Sequence, residues 1–201
     1  MRARFGWTLG ALALAALMAG TALADTHSFS LEEGGSIRFR CRGAGITHPA
    51  EGRFTTVTSL LEIDPADLST ARGEVQVIMA SVTTVESGWD VMFRRAPFLS
   101  IDEFPRARFV VTGVEGATAL RSGHWTPLRI VGDFTIHGVT KAKTADALVY
   151  WDEGSRRLRV RARTEMTWAD HDILMPEGNT RAFAGDRAAL LISLDYRVPA
   201  S

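Results

Sequence analysis

Between Arg157 and Trp168 the chain alternates almost without a break. Leu158, Val160, Ala162, Thr164, Met166 and Trp168 fall on one side, and Arg157, Arg159, Arg161 and Arg163 on the other. A period of two puts neighbouring side chains on opposite faces, so this segment meets both a core and water only as a β-strand with one wet face. Residues 36–42 repeat the pattern, with Ile37, Phe39 and Cys41 opposed to Arg38, Arg40 and Arg42. Leu128, Ile130, Gly132, Phe134 and Ile136 oppose Arg129, Asp133, Thr135 and His137, while Leu190, Ile192, Leu194 and Tyr196 oppose Ser193, Asp195 and Arg197. Further strands are predicted at 54–63, 74–82, 108–114 and 144–151, about eight in all.

Turn chemistry separates these runs at Asp64-Pro65, Gly116, Ser122-Gly123, His137-Gly138 and Asp152-Glu153-Gly154-Ser155. Short turns between successive strands imply antiparallel neighbours. Residues 86–96 are the exception: Trp89, Met92 and Phe93 stand at helical spacing ahead of Pro97, which predicts a short helix laid over an opening or an edge of the sheet. The expected fold is therefore all-β, an extended antiparallel barrel of about eight strands with a short helix covering its mouth, because closure removes exposed sheet edges. A sandwich satisfies the same periodicity. Gly132, Ala145, Ala147 and Ala162 fall at inward positions; such small residues either leave a tunnel or make room for bulky neighbours as the barrel tapers.

The first 24 residues set the compartment. Arg2 and Arg4 precede an apolar run from Leu9 to Met18 that ends in Ala22-Leu23-Ala24, the arrangement of a cleaved secretory signal. The run is well short of the roughly 20 residues that span a bilayer, so stable membrane insertion is not expected, and the mature domain, 25–201, is expected to be periplasmic or secreted. Lys plus Arg and Asp plus Glu number 23 each. Loss of Arg2 and Arg4 leaves a formal charge of −2 and no basic block, which argues against nucleic acid as a partner. The arginine stripes read most simply as wet strand faces, with an anionic partner or lipid head groups as the alternative.

Titratable residues are sparse in pattern. His27, His48, His124, His137 and His171 show no ligand spacing and Cys41 is the lone cysteine, so neither a metal site nor a cofactor is expected. A lone thiol in an exported chain is either buried and inert or joins two copies as a homodimer; the face it shares with Ile37 and Phe39 favours burial. His137 reads as a turn residue, and Asp170-His171-Asp172 as solvent-facing polar residues, since no activated nucleophile accompanies them.

The segment Asp133-Phe134-Thr135-Ile136-His137-Gly138-Val139-Thr140-Lys141 resembles the central motif of the YceI-like family. Residues 97–109, a Phe-rich turn leading through Phe104-Pro105 into a strand, are similar to another of its segments, as are Ser81-Val82-Thr83-Thr84 and Gly52-Arg53-Phe54. The matches occur in the family's order and span nearly the whole mature chain. The resemblance implies a lipocalin-like barrel, exported to the periplasm, that binds a long-chain isoprenoid or related amphiphilic lipid. Trp89 replaces the basic residue the family commonly carries at the helix, and Trp168-Ala169-Asp170-His171-Asp172-Ile173 departs from its C-terminal pattern.

On that reading the lumen is lined by Phe39, Phe54, Val77, Met79, Phe109, Ile130, Phe134, Val149, Trp151, Val160 and Ile192, with Trp89, Met92, Phe93 and Phe98 at the lid. Such a site sequesters or transports a polyprenyl or quinone-like lipid and needs no catalytic residues. The alternatives are an enzyme acting on such a lipid through Asp90, His137 or His171, and a solidly filled barrel serving as an interaction module.

Overall fold

In the computed structural model, which describes residues 25–43, 48–174 and 184–199, the alternating segments form eleven strands in one antiparallel sheet. The expected signal, 1–24, lies outside the described residues. The strands are β1 (His27–Leu31), β2 (Ser36–Arg42), β3 (Glu51–Phe54), β4 (Val57–Asp64), β5 (Asp67–Ile78), β6 (Val82–Thr84), β7 (Arg106–Glu115), β8 (Trp125–Ile136), β9 (Val139–Asp152), β10 (Arg157–Thr167) and β11 (Arg187–Arg197).

Eleven strands occupy only eight positions in the wall. β1 and β2 run one after the other along β11, with Leu31 opposite Tyr196 and Ile37 opposite Ile192. β3 and β4 lie beside them as a second interrupted pair, with Phe54 opposite Ile37 and Leu61 opposite Phe29. β5 and β6 form the third, joined by the 3₁₀ turn Met79–Ser81. Each position is antiparallel to the next in sequence and β11 closes onto β1 and β2, so the product is an eight-position, up-and-down, lipocalin-like barrel. The predicted strand over 54–63 is thus divided at Thr55-Thr56, and β1 and the first half of β5 are additions to the expected set.

α1 (Ser87–Arg94) leads from β6 toward β7 across one end of the barrel, hereafter the helix end. Its N-terminal turn is tied down by Asp90, which accepts from the amide and hydroxyl of Thr84 at 2.6 and 2.5 Å, and Arg94 donates to the Val82 carbonyl at 2.7 Å. The expected lid is therefore present. A relay of rings holds it in place: Phe54 to Phe39 at 5.7 Å, Phe39 to Phe93 at 5.2 Å, Phe93 to Phe98 at 4.9 Å and Phe98 to Trp168 at 5.1 Å. Edge-on and tilted pairs at these separations contribute beyond the area they bury.

A second apolar cluster closes the opposite end, built on Phe29, Leu68, Leu128, Trp151, Leu158 and Leu194. Trp151 packs edge-on against Phe29 at 5.7 Å, and His27 stacks on its face.

The β8–β9 hairpin turns through two residues of positive φ, His137 at 53° and Gly138 at 75°, with Ile136 paired to Val139. That is the primed geometry whose twist suits adjacent strands, and glycine carries it at no steric cost. Phe104 packs on the His137 ring at 4.3 Å, so the two longest segments resembling the YceI-like family meet at this corner.

On the outer wall the arginine stripes face water and many are paired: Arg40 with Glu51 at 2.9 Å, Arg157 with Glu32 at 3.0 Å and Arg161 with Asp195 at 2.6 Å. Exposed pairs of this kind contribute about 1 kcal/mol or less each.

Cys41 faces the core at 1 % exposure, and burial pushes its thiol up to about 12. The thiolate is the reactive form. Thiol titration of the folded protein with Ellman's reagent is therefore expected to show no labelling until denaturant is added. Rapid labelling of the native chain would mean that the strand face of Cys41 is misassigned.

Candidate functional site: the barrel lumen

Inward-facing residues differ by height in the barrel. Near the ends they are buried, as with Phe39, Met79, Leu158 and Leu194. At mid-height Leu61, Val75, Phe109, Val111, Ile130, Phe134, Ala162, Leu190 and Ile192 keep accessible surface, although their strand register points them inward. The surface they retain faces an apolar cavity of about 180 Å³ between the two end clusters. An apolar cavity of roughly 150 Å³ stays dry and accepts benzene, so a void of this size and lining is a host for a slender hydrocarbon group.

Ten of the fifteen residues expected at the ligand border this cavity: Phe39, Phe54, Val77, Met79, Phe93, Phe109, Ile130, Phe134, Val160 and Ile192. The other five are placed elsewhere for identifiable reasons. Val149 and Trp151 sit lower on β9, within the cluster that seals the far end. Phe98 is fully buried in the ring relay under α1, and Trp89 and Met92 pack against that cluster from the helix. These five close the ends of the lumen. Lining residues absent from the expectation include Leu61, Val75, Val111, Lys143, Met166, Trp168 and Leu190. Their signal was parity: each belongs to the inward series of its strand, except Trp168, which follows β10 and continues its series.

The inward small residues divide between both roles foreseen for them. Ala145 and Ala162 border the void, whereas Ala147 is packed into the far-end cluster. Gly132 makes room for a neighbour: a Cβ there would lie 2.5 Å from the ring of Phe109 and 2.3 Å from the Val110 carbonyl oxygen.

Polar groups at the cavity are few. Ser59 donates to the Glu74 carbonyl at 2.9 Å and accepts from Tyr196 at 2.9 Å; burial pushes the Tyr196 phenol up to about 12. Thr164 donates to the Thr144 carbonyl at 2.9 Å. Glu74 and Arg108 pair at 2.7 Å. Lys143 approaches Asp170 at 3.7 Å.

The Asp170-His171-Asp172 triplet departs from its expected exposure at its centre. His171 is fully buried, its Nδ1 donates to the Val139 carbonyl at 3.1 Å, and its ring meets Phe134 edge-on at 5.2 Å. The 3₁₀ turn Ala169–His171 folds this side chain against β9, a reversal that short-range pattern does not reveal. Desolvation, aided by nearby Lys143 and Lys141, lowers its pKa from 6.5. The unfolded chain therefore binds a proton that the native state refuses as pH falls below about 6.5. Stability is expected to drop across that acid window, and His171→Gln should flatten the drop. Chemical denaturation measured between neutral and mildly acidic pH checks it, and identical slopes for the two proteins would contradict it.

Among the described residues no group of three or more His, Cys, Asp or Glu side chains could hold a metal ion. The geometry so far is that of an apolar host.

The profile of the YceI-like domain matches residues 30–196. The chain belongs to the YceI-like family. Its relatives include a UPF0312 protein of Pseudomonas fluorescens, 32% identical over 137 residues, covering 67% of this chain and 68% of the relative. A UPF0312 protein of Shewanella denitrificans is 31% identical over 135 residues, covering 65% and 68%. Among solved structures, Burkholderia cenocepacia BcnA superposes with a TM-score of 0.67 at 15% identity, covering 80% of this chain and 94% of that one. A polyisoprenoid binding domain from Saccharophagus degradans gives a TM-score of 0.62 at 15% identity, covering 86% and 99%. At that identity both structures speak for the YceI-like fold. The YceI-like motif that carried the resemblance builds the β8–β9 corner, where Phe134 and Ile136 border the cavity.

Proposed function

We propose that the protein is an exported carrier that sequesters or transports an isoprenoid or quinone-like amphiphile, holding the apolar tail in the barrel lumen and catalysing no reaction. The observation that carries this reading is the void itself, bordered at mid-height by inward side chains that keep accessible surface. The likeness of fold to a polyisoprenoid binding domain supports the choice of tail. The filled-barrel alternative lacks the solid interior it needs. The enzyme reading drew on Asp90, His137 and His171, yet Asp90 is engaged by Thr84 and His171 is locked against β9.

Magnitudes fit a carrier. Each buried CH₂ contributes roughly 0.8 kcal/mol, so a five-carbon unit contributes up to about 4 before ordering costs are subtracted. A cavity slightly larger than a benzene host accommodates roughly one to two such units without rearrangement. The tail alone then reaches only modest affinity, and a polar contact at one end raises it.

Phe134→Asp is expected to abolish retention of prenyl lipid, because an unpaired carboxylate in the apolar lumen costs several kcal/mol. Saturable binding of a short-chain prenyl quinone, followed by tryptophan fluorescence in wild type and variant, tests the proposal. Wild-type affinity in a folded Phe134→Asp protein would show that the tail lies elsewhere.

A further inference from the structure

We infer that Lys143 anchors an anionic head group, so that the lumen takes an amphiphile carrying a carboxylate or phosphate on its apolar tail. The inference rests on the lumen reading above and adds the chemistry of the ligand's polar end. In β9 the inward series runs Lys143, Ala145, Ala147, Val149, Trp151, and Lys143 is its charged member at the cavity. Lys143 borders the void with 18% of its side chain accessible, and a lysine lays its aliphatic stem on apolar surface while its ammonium keeps to polar surroundings.

Lys143 differs from every other polar side chain there. Ser59, Tyr196 and Thr164 are engaged by close hydrogen bonds, and Glu74 and Arg108 neutralise each other at 2.7 Å. Among the described residues Lys143 has only Asp170, 3.7 Å away, with half of the Asp170 side chain in solvent. A cation held so loosely can exchange a hydrated carboxylate for a ligand's anion, and the apolar wall beside it strengthens that attraction relative to bulk water.

The wall is unladdered at the same place. Pairing between β9 and β10 ends at Asp146–Arg163, and the Thr164 hydroxyl makes one further link to the Thr144 carbonyl. Continued in the same register, the third rung beyond Asp146–Arg163 would set Lys143 opposite Met166; both border the cavity, and no backbone pairing joins them among the described residues. A head group held by Lys143 at this seam leaves its tail pointing along the lumen.

Titration of the mature protein with geraniol, geranic acid and geranyl phosphate, whose two five-carbon units match the void, tests the anchor, with tryptophan fluorescence as readout because Trp168 borders the void. The two acids are expected to bind about tenfold or more tightly than the alcohol, with the margin shrinking as salt is raised. Their ranking tells a carboxylate site from a phosphate site. Lys143→Met should bring all three ligands to within about twofold of one another, and Lys143→Arg should keep the preference for acids. If geraniol binds but the acids bind no tighter, or if their advantage survives in Lys143→Met, the anchor is overturned and the lumen reading stands. Absence of saturable binding for all three would remove the lumen reading, and the anchor with it.

Discussion

Ala162→Phe is expected to weaken lipid binding by roughly a hundredfold or more while leaving the barrel folded. Ala162 sits mid-strand on β10, between Ala147 and Ile192 on the neighbouring strands, and borders the void with accessible surface remaining. A phenyl ring there occupies most of a cavity of about 180 Å³, leaving no room for a five-carbon unit whose burial contributes up to about 4 kcal/mol. Filling a genuine void gains contacts, whereas overpacking a full core costs about 1–3 kcal/mol. The thermal midpoint is therefore expected to hold or rise. Paired measurements of lipid retention and thermal unfolding separate the cases: lost binding with a stable fold supports the hollow barrel, and marked destabilisation indicates an interior already full.

Phe93→Ala acts in the opposite sense, on stability first. Phe93 is 1 % exposed and joins the ring of Phe39 to that of Phe98. Truncating a buried phenylalanine costs about 3–5 kcal/mol, with the larger losses where surroundings cannot collapse. Collapse is restricted here because the neighbouring rings are fixed on different elements: Phe39 on β2, Phe98 after α1 and Trp168 beyond β10. For a chain of this length the loss corresponds to a fall of roughly 10 °C or more in Tm. Calorimetry of the variant checks it, and a shift of only a degree or two would mean that α1 contributes little to closing the barrel.

Much of the wall was legible in the sequence because one face of each long strand is wet. The arginines of β10 and β2 fix the parity of Val160, Ala162, Ile37 and Phe39, and the same argument orders β8 and β11. β1 was missed because five residues with two serines give a weak alternation. The first half of β5, Asp67 to Gly73, lacks the β-branched and aromatic residues that mark strands, apart from one threonine. The interruption of β3 and β4 at Thr55-Thr56 has no signal in side-chain polarity.

The site was legible in part for a related reason. Parity says that Trp151 and Phe134 both point inward, but height along the barrel decides that one seals an end and the other borders the void. Height depends on strand stagger, which emerges only from the pairing of all eight wall positions. Lys143 was passed over because the strand predicted at 144–151 begins one residue after it, whereas β9 begins at Val139. Its odd number in the series of Ala145 and Ala147 placed it at the lumen, where it contradicts the simple rule that inward means apolar.

Organic extraction of the protein purified from its native compartment, followed by mass spectrometry, tests the central claim most directly. A single class of prenyl-chain amphiphile recovered at near one molecule per chain is the predicted result. An extract without bound lipid, from protein that also takes up no added prenyl amphiphile, would contradict it.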